Sequence, residues 1–311
     1  MSLSTPIVFI IFARPDLTEK VFETIAQAKP KKLFVIADAP RLHRPGEAEK
    51  CEQARAVIKK VDWDCEVFTN FSEVNMGPGR RISSGIDWVF SHVEEAIFLE
   101  DDEIPTPSFF SFCEALLEYY RHDERIMYIN GDNSVNENRT QDSYYFSKYA
   151  HSWGFASWRR AWKHYDYKMK SWPEFKASGL LEQVFDDPYE QKFWTEAFDQ
   201  MYADPQVIDT WDIQWMYACW SQGGLVIAPN KNLVSNHGFD REDAGHTKGS
   251  DPRARLPVTD IWEIKYPPFV VRHREADRHS FDYIFGGSAI RERDQPLLRI
   301  RRKLSSIFSG K

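Results

Sequence analysis

The sequence predicts an α/β protein built on a mostly parallel, doubly wound sheet. Two observations carry this. Through residue 133, short apolar runs of strand length alternate with longer segments of helical period, the pattern of linked β-α-β units. Three of the runs end in charged residues, at Arg14, at Asp38 and at Glu100 to Asp102. Ligands of such sheets bind beyond the carboxyl ends of the strands, so the same ends mark a candidate site. A chain of 311 residues with 42% apolar content is long enough for a substantial core.

The elements follow in order. "PIVFIIF" reads as a buried strand by length and β-branched content. "DLTEKVFETIAQA" sets Leu17, Val21, Phe22 and Ile25 at helical spacing. "KLFVIADAP" is a second strand, "GEAEKCEQARAVIKKV" a helix and "CEVFTNF" a third strand. "NMGPGRR" is a loop marked by Gly77, Pro78 and Gly79. "ISSGIDWVFSHV" is a helix and "EAIFLEDD" a fourth strand. "PSFFSFCEALLEYYRHD" is an amphipathic helix with Ser108 as the expected N-cap, and "RIMYINGDN" a fifth strand. The second half changes character. Residues 144–220 hold eight of the eleven Trp, with fewer clear strands and helices expected near 155–165, 179–202 and 212–222.

Composition excludes some classes. With 40 basic and 47 acidic residues, net −7, nothing favours nucleic-acid binding. Aromatic content of 15% fits either a ligand with flat apolar faces, sugars among them, or a large aromatic core. The four cysteines form no C-x-x-C pair, which signals neither zinc nor redox chemistry and fits a reducing compartment. The apolar run Ile7 to Phe12 is short and lacks a basic leader, so it reads as the first strand rather than a signal peptide. No run reaches membrane-spanning length.

Glu100, Asp101 and Asp102 follow the strand "AIFL" directly. Adjacent carboxylates raise one another's pKa unless a cation sits among them, and hard oxygen donors suit Mg2+ or Mn2+. The alternative is a solvated acidic turn. Arg80 and Arg81, beside Gly77 and Gly79, are candidates for contacting phosphates or else open a solvated helix.

"AIFLEDDEIPTPSFFSFCEALLEYYRHDERIMYINGDN" resembles the metal-binding segment of GT-A-fold (Rossmann-like) glycosyltransferases. It is similar to a bacterial group of nucleotide-diphospho-sugar transferases and to N-acetylglucosaminyltransferase I. "FARP", "VIAD", "NMGPGRRISSGIDWVF", "YAHSWGFASWRRAWKHYD", "TWDIQW" and "SNHGFDREDAGHT" resemble further family segments. The resemblance implies that Asp102 binds the divalent metal in the manner of a DXD motif, with Asp101 and Glu100 nearer the ribose and donor sugar. It implies that Arg14 and Asp38 meet the nucleotide, and that "NHGFDREDAGH" is a loop ordering over the donor, with His246 at the diphosphate or metal. His237, Asp240, Asp243 and His246 match no standard zinc spacing.

Asp212 is the leading general base for an inverting transfer, set between Trp211 and Trp215 as aromatic surface for a sugar; a helix-start acid is the alternative. Asp209 is the fallback, because Ile213 stands where a "WDDW" variant of the family has its second acid. Trp153, Gly154 and Trp158 are expected to shape the acceptor or donor-sugar pocket, or to pack in the core. The tail around Arg299, Arg301, Arg302 and Lys303 is basic and amphipathic, suited to an anionic membrane face or to a surface helix.

The expectation is therefore one GT-A domain over 1–265, with a nucleotide-binding half at 1–135 and a Trp-rich acceptor-side half at 136–265, followed by an extension at 266–311. The expected function is a Mn2+- or Mg2+-dependent, inverting glycosyltransferase using a UDP-linked sugar on a glycan or lipid-linked glycan acceptor in bacterial surface polysaccharide synthesis. The expected location is cytoplasmic, with peripheral membrane contact. The alternatives are a sugar nucleotidyltransferase, disfavoured because "FARPDLTEK" has no glycine, and a non-catalytic sugar-binding protein on a degenerate fold of this kind.

Overall fold

Five consecutive buried apolar side chains, Ile7–Ile11 (β1), can be hidden only in a strand covered on both faces. The computed structural model describes residues 3–134, 138–239, 241 and 252–294, and places β1 near the middle of an eight-stranded sheet. The other strands of the chain are Lys32–Ala37 (β2), Glu66–Phe71 (β3), Glu95–Glu100 (β4), Glu103–Pro105 (β5), Ile126–Asn130 (β6), Tyr144–Ser147 (β7), Phe155–Trp158 (β8), Leu225–Pro229 (β9) and Val234–Asn236 (β10). The large sheet runs β3-β2-β1-β4-β8-β6-β9-β7, and β10 pairs with β5 in a small second sheet. Strands β1 to β4 pair parallel, β6 pairs parallel with β9, and β8 and β7 run antiparallel to their neighbours.

The helices are Pro15–Ala28 (α1), Glu47–Ala56 (α2), Pro78–His92 (α3), Pro107–Tyr119 (α4), Arg159–Trp162 (α5), Trp172–Ala177 (α6), Leu181–Val184 (α7), Pro188–Ala203 (α8), Asp212–Ser221 (α9), Arg274–Ile284 (α10) and Gly287–Asp294 (α11). Alternation along β1 divides the core. Ile7, Phe9 and Ile11 pack with α1 and α4, whereas Val8 and Ile10 pack with α3, α8 and α9. Among the described residues no helix is long and apolar enough to cross a membrane. All four cysteines are free thiols.

The structure departs from the expected elements where long-range pairing decides. Phe155–Trp158 begins an expected helix but forms β8, inserted between β4 and β6. Its four side chains are all buried, and Phe155 stacks between Phe98 and Tyr128 at 4.5 and 4.8 Å. That slot outweighs local propensity. The helix expected over 179–202 breaks before Pro188, which starts α8 behind Asp187, whose side chain accepts from Tyr189 N. Ser108 is not the N-cap of α4; Thr106 stands there, and Ser108 instead accepts from Ile261 N and donates its own N–H to Asp260. Within the expected C-terminal extension, Phe281 of α10 enters the core and Asp277 accepts from Ser147 Oγ and Lys148 N. The basic tail at 297–308 lies outside the described residues.

Candidate functional site

Register sets the first contacts of the site. Ile10 of β1 lies opposite Glu100 of β4, so the residues that follow each strand emerge side by side. Phe12 N then donates to Asp101 Oδ2 at 3.0 Å. Arg14, at the N-cap position of α1, reaches across to Asp101 Oδ1 at 3.2 Å and to Asp102 Oδ2 at 2.6 Å. Arg14 and the acids, 87 or more positions apart, are thus brought together as the strand ends predict.

The cluster holds more acid than this arginine can balance. Asp101, Asp102 and Glu103 are buried, and Glu100 is partly exposed. Loss of water around Glu100, with the charges of Asp102 and Asp101, pushes its pKa up to about 8. Loss of water pushes Asp101 up to about 7 against the pull of Arg14. Glu103, missed from sequence, is buried with Oε2 on Glu100 N at 2.7 Å, and burial with the charges of Glu100 and Asp102 holds it well above the usual range. Only the short return strand β5 could have signalled it, because Glu103 must turn inward for β5 to pair.

Strand β10 lays the segment "SNHG" against this cluster. His237 N donates to the Asp102 carbonyl at 2.7 Å, and Asn236 Nδ2 lies 3.4 Å from Asp102 Oδ1. A Cβ at Gly238 would collide with Asp102 Oδ2, so only glycine permits this approach. Asp240, Asp243 and His246 lie outside the described residues. His237 is exposed and its Nε2 meets Ser235 Oγ.

Among the described residues no three His, Cys, Asp or Glu side chains form a ready metal cage. The donors nevertheless fit a hard dication. They are carboxylate oxygens, and they lack cationic balance. Ions of this kind commonly take one or two protein carboxylates and complete their shell from phosphate and water.

Asp38 follows β2 and is buried. Its carboxylate accepts from Ala39 N, Met76 N, Gly77 N and Asn75 Nδ2 at 2.9 to 3.2 Å. Burial raises its pKa in spite of these donors. Asp38 therefore shapes the 75–77 loop. Arg81 is buried and spends its guanidinium on Ala37 O, Asn70 O and Oδ1, and Ser84 Oγ. It ties α3 to the β2–β3 edge, whereas Arg80 is exposed and bonds the Tyr167 ring hydroxyl.

Asp212 opens α9 and is half-buried. Its Oδ1 accepts from Ile213 N and from Thr210 Oγ1, and its charge adds the smallest of the contributions to the raised pKa of Glu100. Asp209 sits in left-handed backbone (φ 51°) and accepts from Gly79 N at 3.1 Å. The indoles expected to offer a sugar surface do otherwise. Trp211 and Trp215 are buried against Phe155 and Trp162, and Trp158 is buried with Nε1 on Leu117 O. Trp153 is buried too, meeting Phe239 edge-on beside the "SNHG" segment and lying under Arg253. Gly154 O accepts from Gly131 N at 2.6 Å. His151, also unforeseen, presents Nδ1 to Asp132 Oδ2 at 3.1 Å on the loop before β8.

No protein-family model matches the chain, and no curated protein matches it in sequence. Matching solved structures include a mannosyltransferase from Pyrobaculum calidifontis in complex with GDP-Man and Mn2+, at 11% identity and TM-score 0.37 over 52% of this chain and 46% of that one. This chain thus spans less than half of that enzyme's length. A UDP-glucose pyrophosphorylase complexed with UDP-glucose matches at 10% identity and TM-score 0.30, over 52% of this chain and 78% of that one. The inositol-1-phosphate CTP transferase from T. maritima matches at 10% identity and TM-score 0.30, over 52% and 74%.

Proposed function

We propose that this chain is a glycosyltransferase of the GT-A kind, which binds a UDP-linked sugar with Mn2+ or Mg2+ and transfers the sugar with inversion to a glycan acceptor. The observation that carries the proposal is the acid cluster at the β4 end, where four acids, Glu100 to Glu103, gather around Arg14, which bonds Asp101 and Asp102. Burying carboxylates without matching cations is expensive, and such sites are where function concentrates. A nucleotidyltransferase is less well supported, since the β1–α1 connection is three residues, Phe12 to Arg14, without glycine.

In this reading Asp102 would hold the cation, with Asp101 fixing its neighbour Arg14 and the turn after β1. A divalent cation bound there supplies positive charge to the departing diphosphate. Asp38 sets the loop bordering the nucleotide base. Arg14 answers negative charge on the nucleotide side. Asp212 takes the proton of the attacking hydroxyl on Oδ2, because Oδ1 is already occupied by Ile213 N and Thr210.

Calorimetric titration with UDP, with and without Mn2+, tests the reading. UDP affinity should require Mn2+ and be lost in Asp102→Ala. Asp212→Asn should keep UDP affinity and lower donor turnover by about 10²-fold. UDP binding that is indifferent to metal and to Asp102 would sink the proposal.

A further inference from the structure

Arg80 was singled out for phosphate, yet the structure points it elsewhere. Arg80, Tyr167, Lys168, Lys170, Tyr202 and Asp204 line a cavity of about 300 Å3 on the far side of the 77–80 loop. Three cations against one carboxylate give the lining a net charge of +2, on a chain whose net charge is −7. None of the three cations has an ion-pair partner among the described residues. Two tyrosine rings complete the wall, and the Tyr167 hydroxyl is fixed on Pro205 O at 3.3 Å.

The lysines are displayed by a built turn. Asp166 accepts from Lys168 N and Lys170 N at 2.9 and 3.0 Å. Between them Met169 takes a left-handed φ of 48° and is fully buried. A non-glycine residue holds that conformation only where its surroundings impose it, and here burying Met169 turns the flanking lysines outward. A second left-handed residue, Asp209, stands outside the lining, and its charge acts on Tyr167. Its carboxylate clamps Gly79, and a Cβ on Gly79 would lie 2.8 Å from Thr210 O and 3.1 Å from the Tyr167 ring.

We infer that this cavity binds a sugar ring carrying an anionic group. Tyrosine faces suit the apolar side of a pyranose, and the guanidinium and ammonium groups suit a carboxylate or a phosphate through charge-assisted hydrogen bonds. The assignment of that sugar as part of the acceptor rests on the transferase reading above; the binding itself does not.

Calorimetry on the full chain with methyl glucuronide, glucose 6-phosphate, methyl glucoside and inorganic phosphate tests the inference. The two charged sugars should bind, with the uncharged glucoside and bare phosphate each weaker by about tenfold or more. The stronger of the two charged sugars identifies the anion. Lys168→Gln/Lys170→Gln should weaken the charged sugars by about tenfold and leave the melting temperature and UDP–Mn2+ affinity unchanged. Absence of binding, equal affinity for the glucoside, equal affinity for bare phosphate, or an unaffected double variant would each overturn it. Charged-sugar binding together with metal-independent UDP binding would remove the donor reading and leave the cavity's ligand standing.

Discussion

Arg14→Gln should destabilise the protein in a strongly pH-dependent way. Arg14 Nη1 lies 2.6 Å from Asp102 Oδ2 and 3.2 Å from Asp101 Oδ1, with side-chain exposures of 19%, 8% and 7%. Two unit charges about 4 Å apart interact by about 4 kcal/mol at an effective dielectric of about 20. Removing one partner of a buried pair costs about 3–5 kcal/mol. The folded pKa values of Glu100 and Asp101, about 8 and about 7, lie above their ordinary values of 4.5 and 3.8. The native state therefore holds protons that the unfolded chain releases between those limits, and stability falls as pH rises through this window. Arg14 opposes both upward shifts, so its loss makes the fall steeper. Urea unfolding followed by Trp fluorescence should give a loss of about 1 kcal/mol at pH 5 and about 3–5 kcal/mol at pH 8. Equal losses at the two pH values would refute the idea that Arg14 answers buried carboxylate charge.

Gly238→Ala forces a methyl onto Asp102 Oδ2, so it should lower stability by about 1–3 kcal/mol and weaken UDP–Mn2+ binding in calorimetry. Asp38→Ala leaves Met76 N and Gly77 N without their acceptor, which should cost about 1–3 kcal/mol in urea unfolding and weaken UDP binding through the displaced loop. Glu114 accepts from Ser4 and Thr5 through backbone and side chain, and those hydrogen bonds hold its pKa below the usual value despite partial burial. Its stabilisation is thus present at neutral pH and lost as pH falls below its ordinary value of 4.5. Glu114→Gln should accordingly cost about 1 kcal/mol at pH 7, and the cost should shrink steadily as pH falls below 4.5.

The first half of the fold was legible because its strands are buried on both faces. Runs such as Ile7–Ile11 and Lys32–Ala37 have no other place to hide. Their ends were legible for the same reason, since Arg14 and Glu100 to Asp102 interrupt apolar runs. The second half was not, because β8 owes its state to neighbours 57 or more residues behind it in β4 and to β6, not to its own four residues. Tryptophan was ambiguous in principle. An indole offers the same apolar face to a sugar or to a core, and here Trp153, Trp158, Trp211 and Trp215 are all buried in the core. Arg81 misled because proximity to glycines says nothing of direction. Residues 80 and 81 point opposite ways, one into solvent and one under the sheet edge.

The small sheet explains how so acidic a cluster is tolerated. Strand β10 pairs with β5 from Val234–Pro105 to Asn236–Glu103, and this pairing anchors the backbone on both sides of the acids. Phe12 N, Glu100 N and His237 N all donate into the cluster or its main chain. The backbone is thus satisfied while the carboxylates compete for one guanidinium. Swapping Glu100 or Asp101 for an amide would relieve that competition at little steric cost, so stability alone does not account for acids here. The arrangement combines a rigid frame with unbalanced charge, and in the function proposed above an arriving cation would find carboxylates already positioned. In such a frame, binding energy goes into relieving repulsion already present in the folded chain, not into ordering a loop. Saturating Mn2+ should therefore flatten the pH dependence of unfolding between pH 5 and 8 on the order of the Arg14 effect, about 3 kcal/mol at the alkaline end. The same Mn2+ should leave Asp102→Ala unchanged, and a cation that stabilised both proteins equally would have to be acting somewhere other than this cluster.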